Sequence, residues 1–253
     1  MKKLGLVLIG LALICGCGYK LGYRHFVGPI QPHPEAGTDL FTIGDDGSIT
    51  YAKERLEVTL VPLTADMLNR QFPNSSRMTE GFPQPNPFSG AINPYTYGDW
   101  KPPEENEPPA RFTVFLLKVK NYAYPMVRVK PANITISAPN GRRYDTLSLW
   151  TLVEYYRPYA VAYGGNARRS LAERSDLMRR TLFPLEQKIF SGQEKEGYVV
   201  FPILDPDVEA FTVWIRDVAL RFDFRGDPVE EIDLPYRFQR EVYYASQRRA
   251  GDG

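Results

Sequence analysis

Two cysteines, Cys15 and Cys17, stand one residue apart, and no other thiol occurs in the 253-residue chain. A thiolate is a nucleophile, a metal ligand and an acyl acceptor, so the spacing must say which chemistry is meant. Residues two apart make a sterically poor disulfide, and a zinc or redox site wants more ligands or a Cys-x-x-Cys spacing. The two histidines, His25 and His33, lack a nearby carboxylate pattern and read as exposed linker residues rather than metal ligands. A Ser-His-Asp system needs a histidine inside the fold, and no G-x-S-x-G is present. A glycine-rich phosphate loop is also missing. Asp45-Asp46-Gly47 lacks the alternating oxygens and closing glutamate of a calcium loop and reads as a turn. Glu154, Glu173 and Asp176 offer a glycosidase-like carboxylate pair in principle, but a chain with 30 acidic residues offers many. The expectation is a protein that is not an enzyme and holds no metal and no cofactor.

The chain opens Met1-Lys2-Lys3 and then runs apolar from Leu4 to Ile14. A short cationic start and an apolar core of this length are the pattern of a secretory leader. A bilayer-spanning helix needs ~20 apolar residues; this run is shorter and Tyr19, Lys20 and Arg24 follow soon after it, which leaves an uncleaved anchor as the second reading. The residues Ile14-Cys15-Gly16-Cys17 resemble the lipobox of bacterial lipoproteins, in which an aliphatic residue and two small residues precede the acylated cysteine. Ile14 and Gly16 stand where that pattern wants them for Cys17, whereas bulky Ile14 would sit at the cleavage position for Cys15. The resemblance implies a signal peptide over 1–16, lipidation of Cys17, and a mature protein anchored by lipid in the cell envelope. Gly18, rather than Asp, after that cysteine implies sorting to the outer membrane, facing the periplasm or the cell surface. Several acyl chains, at ~0.8 kcal/mol per buried methylene, would hold the mature chain firmly on a bilayer.

Composition narrows the partners. Formal net charge is +1, and loss of Lys2 and Lys3 with a leader takes it to −1. Nucleic-acid binders concentrate positive charge, so none is expected as a partner. Sixteen tyrosines and fourteen phenylalanines suit β structure and sandwich cores.

The elements that would carry a site follow from pattern. Residues 17–38 are punctuated by Gly28-Pro29, Gln31-Pro32 and His33-Pro34 and read as a tether. A hairpin over Phe41 to Tyr51 turns at Gly44-Asp45-Asp46-Gly47, and Arg55 to Leu63 alternates as a half-buried strand ending near Pro62. Residues 73–109 hold nine prolines and read as a long irregular loop. Its aromatics Phe82, Phe88, Tyr95, Tyr97 and Trp100 either fold back onto the body or form a docking surface. Arg111 to Val119 is apolar on both faces and therefore central. Further strands are expected at 127–129, 133–137, 142–146, 197–204, 211–215, 218–224 and 232–238, with turns at Pro139-Asn140-Gly141, Asp217 and Arg225-Gly226-Asp227-Pro228. Between them, 147–183 is helical, with Pro158 interrupting its first half. Its second half, Ala167 to Leu182, carries a thin stripe of Leu171, Met178 and Leu182 opposite Arg168, Arg169, Arg174, Arg179 and Arg180. Residues 246–253 are expected to be a disordered tail.

Short strands at this spacing give a mainly β fold, an antiparallel β-sandwich over 39–245 with a helical insertion and a long Pro-rich loop. The order FTVFLLKVKN, VKPANITI, LEQKIFSGQEKEGYVVFPI is similar to immunoglobulin-like domains of secreted bacterial proteins. That resemblance implies a non-enzymatic accessory or adhesion module and carries over no binding residue. Tyrosine and arginine are favoured at protein contacts, so Tyr155, Tyr156, Arg157, Tyr159 and Tyr163 are the candidate contact for an envelope protein partner. The alternatives are a glycan-contacting or structural envelope module built on the loop aromatics and an enzyme with an unrecognised carboxylate site.

Overall fold

A computed structural model describes residues 23–77, 91–101, 108–185 and 187–246. Cys17, Phe82, Phe88 and the segment after Ser246 lie outside the described residues.

The strands run in chain order as β1 (Tyr23–Val27), β2 (Gln31–Pro32), β3 (Phe41–Ile43), β4 (Ile49–Lys53), β5 (Leu56–Leu63), β6 (Thr113–Asn121) and β7 (Met126–Val129). They continue as β8 (Ile134–Ser137), β9 (Arg143–Asp145), β10 (Gln187–Phe190), β11 (Gln193–Phe201), β12 (Ala210–Phe222), β13 (Pro228–Gln239) and β14 (Val242–Ser246). The α-helices are α1 (Ala65–Gln71), the single turn α2 (Pro73–Ser76), α3 (Leu149–Tyr163) and α4 (Gly165–Thr181). One antiparallel sheet has the order β11-β6-β5-β4-β3. The other runs β10-β7-β12-β13-β2, with β8 also on β12 and β9 on β8. The two pack face to face as the expected sandwich, and their inner faces share one core that includes Leu60, Phe115 and Leu117 from the first sheet and Val213, Tyr236 and Phe238 from the second.

Strand β6 is central, as its sequence requires. Phe115, Leu117 and Val119 face the second sheet, while Val114 and Leu116 face the other way into a second cluster with Leu152, Tyr156 and Met178. Successive strand side chains alternate between faces, so a strand apolar on both must be covered twice. The helices supply the second cover, and the molecule is three layers deep at this sheet.

Local chemistry sets the ends of elements. Thr64 Oγ1 accepts from Met67 N at 3.2 Å and starts α1, and Ser148 Oγ accepts from Thr151 N at 3.1 Å and starts α3. Pro158, expected to interrupt the helix, is instead carried inside α3, which runs unbroken to Tyr163 with Gly164 as its cap. Gly164 then turns the chain with φ 56°, and α4 begins at Gly165, two residues before the expected start at Ala167. The Arg225-Gly226-Asp227 stretch is a turn: Asp223 Oδ1 accepts from Arg225 N at 2.8 Å and Asp227 N at 2.9 Å.

Three further readings of the sequence change. The expected strands 211–215 and 218–224 are one strand, β12, whose register slips between Ile215 and Val218. Asp217 there has φ 54°, so the turn signal marks a bulge rather than an end. The stretch expected to be a tether is built into the fold from Tyr23: β1 pairs β14 from the far end of the chain, and β2 pairs β13. Such pairings depend on residues two hundred positions away and leave no local signature. Arg174 is the third. It is buried rather than on the polar side of its helix, because it falls three residues after Leu171 and four before Met178, on their stripe.

Candidate functional site

The helical layer holds all five candidate contact residues. At its base lies Tyr156, only 2 % exposed. Its hydroxyl donates to the carbonyl oxygen of Pro94 at 2.6 Å. Two buried arginines flank its ring. The guanidinium carbon of Arg111 lies 4.9 Å from the ring centroid, and that of Arg174 also lies at 4.9 Å. Arg111 further stacks on Tyr97 at 4.7 Å and Tyr155 at 5.4 Å. Its Nη1 donates to Thr96 O at 3.1 Å, while Nε and Nη2 meet no hydrogen-bond acceptor. Aromatic faces on three sides take that place, because ring quadrupoles attract a cation. Arg174 Nη2 donates to Ala91 O at 2.7 Å.

This cluster joins pieces distant in sequence: residues 91–97 of the Pro-rich stretch, the lead into β6, and both long helices. Tyr95, buried, shares a 2.6 Å hydrogen bond with Thr181 Oγ1, and its ring meets Tyr198 edge-on at 5.2 Å. Asn93 Nδ2 donates to Ser76 Oγ at 2.9 Å, and Asn69 Nδ2 donates to Gly98 O at 2.7 Å. The described part of the Pro-rich stretch is therefore packed, with Tyr95 and Tyr97 used in that packing and Trp100 half-buried. Burial pushes the Tyr156 phenol up to about 12, partly offset by the neighbouring Arg111 and Arg174 cations. Burial also lowers Arg174 from its ordinary value.

Above this base lies an outward stripe. Trp150, Glu154, Arg157 and Val161 recur at steps of four, three and four along α3, and so share one face. Trp150 is 67 % exposed and Val161 71 %. Arg157 Nε donates to Glu154 Oε1 at 2.7 Å, and its guanidinium carbon stands 5.7 Å from the Trp150 ring. Tyr155, 40 % exposed, sits between stripe and base, edge-on to Phe112 at 5.3 Å and to Tyr156 at 5.0 Å.

The expected contact residues thus divide. Arg157 and Tyr155 are surface groups, and Tyr156 is an interior pin. Tyr159 and Tyr163 lie on α3, with side chains outside the description. Sequence reasoning missed Arg111, Arg174, Trp150 and Val161. The signal for the last two was present, since both fall on one helical face with Arg157.

The remaining chemical candidates are engaged elsewhere. Glu154, Glu173 and Asp176 each pair with an arginine of their own helix: Arg157, Arg169 and Arg180. His33 Nδ1 accepts from Glu35 N at 3.2 Å and caps a short 3-10 turn. Among the described residues, no three His, Cys, Asp or Glu side chains gather as a metal set, and no helix is long and apolar enough to cross a membrane. What the helical layer exposes is the Trp150, Glu154, Arg157 and Val161 stripe of α3. Comparison of the chain with protein-family models, with curated proteins and with solved structures finds no match.

Proposed function

We propose that the protein is a lipid-anchored envelope module that works by binding a protein partner through the outer face of α3. The observation that carries this reading is the exposed pair Trp150 and Val161 bracketing Arg157 on one face of a helix whose other face is firmly packed. Tryptophan and arginine dominate contact energetics when a partner buries them. A rigid helix presents them at low entropic cost, and the Arg111 and Tyr156 pins below supply the rigidity. The lipobox-like Ile14 to Cys17 supplies the anchor, Gly18 the outer-membrane address, and the immunoglobulin-like pattern a non-catalytic scaffold.

The test has two arms. Fatty-acid labelling of cells making the wild type or Cys17→Ser reads the anchor; label retained in Cys17→Ser overturns it. Crosslinking in intact cells with wild type and with Trp150→Ala/Arg157→Ala reads the contact. The double variant is expected to lose the wild type's adducts while keeping its melting temperature, and an unchanged adduct pattern overturns the surface.

A further inference from the structure

A cavity of about 460 Å³ opens beside the end of β5 and the start of β6. Val27, Ile30, Leu63, Phe112 and Ile203 line it together with five prolines. Among the described residues, its wall has one cationic residue, Arg240, and one anionic residue, Asp205. Arg240 is 6 % exposed. Its Nε donates to Val208 O at 2.7 Å, and Nη2 donates to the carbonyls of Leu204 and Asp205. Among the described residues, nothing hydrogen-bonds or ion-pairs with its Nη1. The Asp205 carboxylate is committed elsewhere, to Arg142 Nη1 at 2.9 Å and the Tyr144 hydroxyl at 2.8 Å. The Asp205 and Asp207 carboxylates stand near enough to favour its charge, yet the hydrogen bonds from its Nε and Nη2 all go to carbonyl oxygens, so an anion entering the cavity would give it a direct charged partner. Burial works against the charged form of Arg240.

We propose that this cavity binds a free fatty acid, its hydrocarbon chain along the apolar wall and its carboxylate at Arg240. An apolar pocket with one convergent polar group is the usual form of a small-ligand site. At about 460 Å³ the cavity is of the size that small-ligand sites take, with an apolar wall for a hydrocarbon tail. The proline-rich wall argues against a peptide, because prolines have no backbone N–H with which to hold one. A carboxylate accepting from a guanidinium forms the strong, charge-assisted kind of hydrogen bond. The site does not depend on the α3 contact or on acylation of Cys17.

The test is calorimetric titration of the full-length protein with dodecanoate, dodecanol and dodecyltrimethylammonium, each below its micellar concentration. Dodecanoate is expected to saturate at one per chain, at least tenfold more tightly than dodecanol, with no saturable binding of the cation. Ile203→Trp, which fills the half-exposed rim, is expected to weaken dodecanoate at least tenfold at an unchanged melting temperature. Arg240→Met is expected to bring dodecanoate down to the affinity of dodecanol. Since that variant also strips the carbonyl contacts and can fail to fold, the ligand series on the wild type and the Ile203→Trp result decide without it. Equal binding of the three ligands, no saturable binding of dodecanoate, or full affinity in Ile203→Trp overturns the proposal.

Discussion

The Tyr156 hydroxyl meets the Pro94 carbonyl at 2.6 Å inside the protein, across 62 positions of sequence. A helix of the insertion and the middle of the Pro-rich stretch are thereby one structure. Tyr156→Phe leaves that carbonyl without its donor in a buried place. The expected loss is about 1–2 kcal/mol of unfolding free energy, read by urea denaturation, with the outer face of α3 still able to make its contacts.

The same tyrosine makes stability fall in alkali. Its phenol is held up at about 12 by burial, against an ordinary value of 10.0. Above pH 10 the unfolded chain ionises while the folded one keeps its proton, so the folded state binds more protons and stability declines as pH rises. The contribution is complete below about pH 10 and lost through about pH 12, on the order of 2–3 kcal/mol for this group. Burial pushes Tyr95 and Tyr198 upward too, which steepens the decline. Urea unfolding at a series of pH values should show a shallower slope in Tyr156→Phe than in wild type.

Gly197 admits no side chain. A Cβ there would lie 2.5 Å from Phe183 Cα and 2.6 Å from Phe183 N, both backbone atoms. Those atoms belong to the segment that closes the outer edge of β11, where Phe183 N donates to Tyr198 O at 2.9 Å. Gly197→Ala must push that segment off the edge. The expected cost is about 2–3 kcal/mol, with faster hydrogen exchange at the Phe183 amide as the specific readout.

Asn121 ends β6 with its side chain fully used. Its Nδ2 donates to Tyr124 O at 2.8 Å and Ile189 O at 2.9 Å, and its Oδ1 accepts from Tyr124 N at 2.9 Å. One buried amide thus joins the first sheet to β10 of the second. Asn121→Ala strands buried backbone groups on two segments, and a loss of about 3 kcal/mol is expected in chemical denaturation. Asn121→Asp should be no milder, because a carboxylate cannot donate to the two carbonyls.

Much of the sandwich was legible because its signals are local. RFTVFLLKV is apolar at every other position on both faces, and a strand of that kind belongs in the middle. Gly44-Asp45-Asp46-Gly47 and Pro139-Asn140-Gly141 are turns by their own chemistry, and each stands between paired strands. The outer stripe of α3 was also available, since Trp150, Arg157 and Val161 fall on one helical face. The buried arginines were harder. Charged residues are normally placed in water, and nothing in the sequence places Arg111 among Tyr97, Tyr155 and Tyr156.

Taken alone, the sequence determined what neighbours in the chain decide: strand alternation, turns and the helical interval over 147–183. The tertiary structure decided what only distant residues can decide. It paired β1 with β14, drew residues 91–97 under α3, and put Arg240 in the wall of a cavity. The physical reason is range. Periodicity and turn chemistry act over a few residues, whereas the cost of burying a charge or a carbonyl is settled by whichever distant segment arrives to meet it.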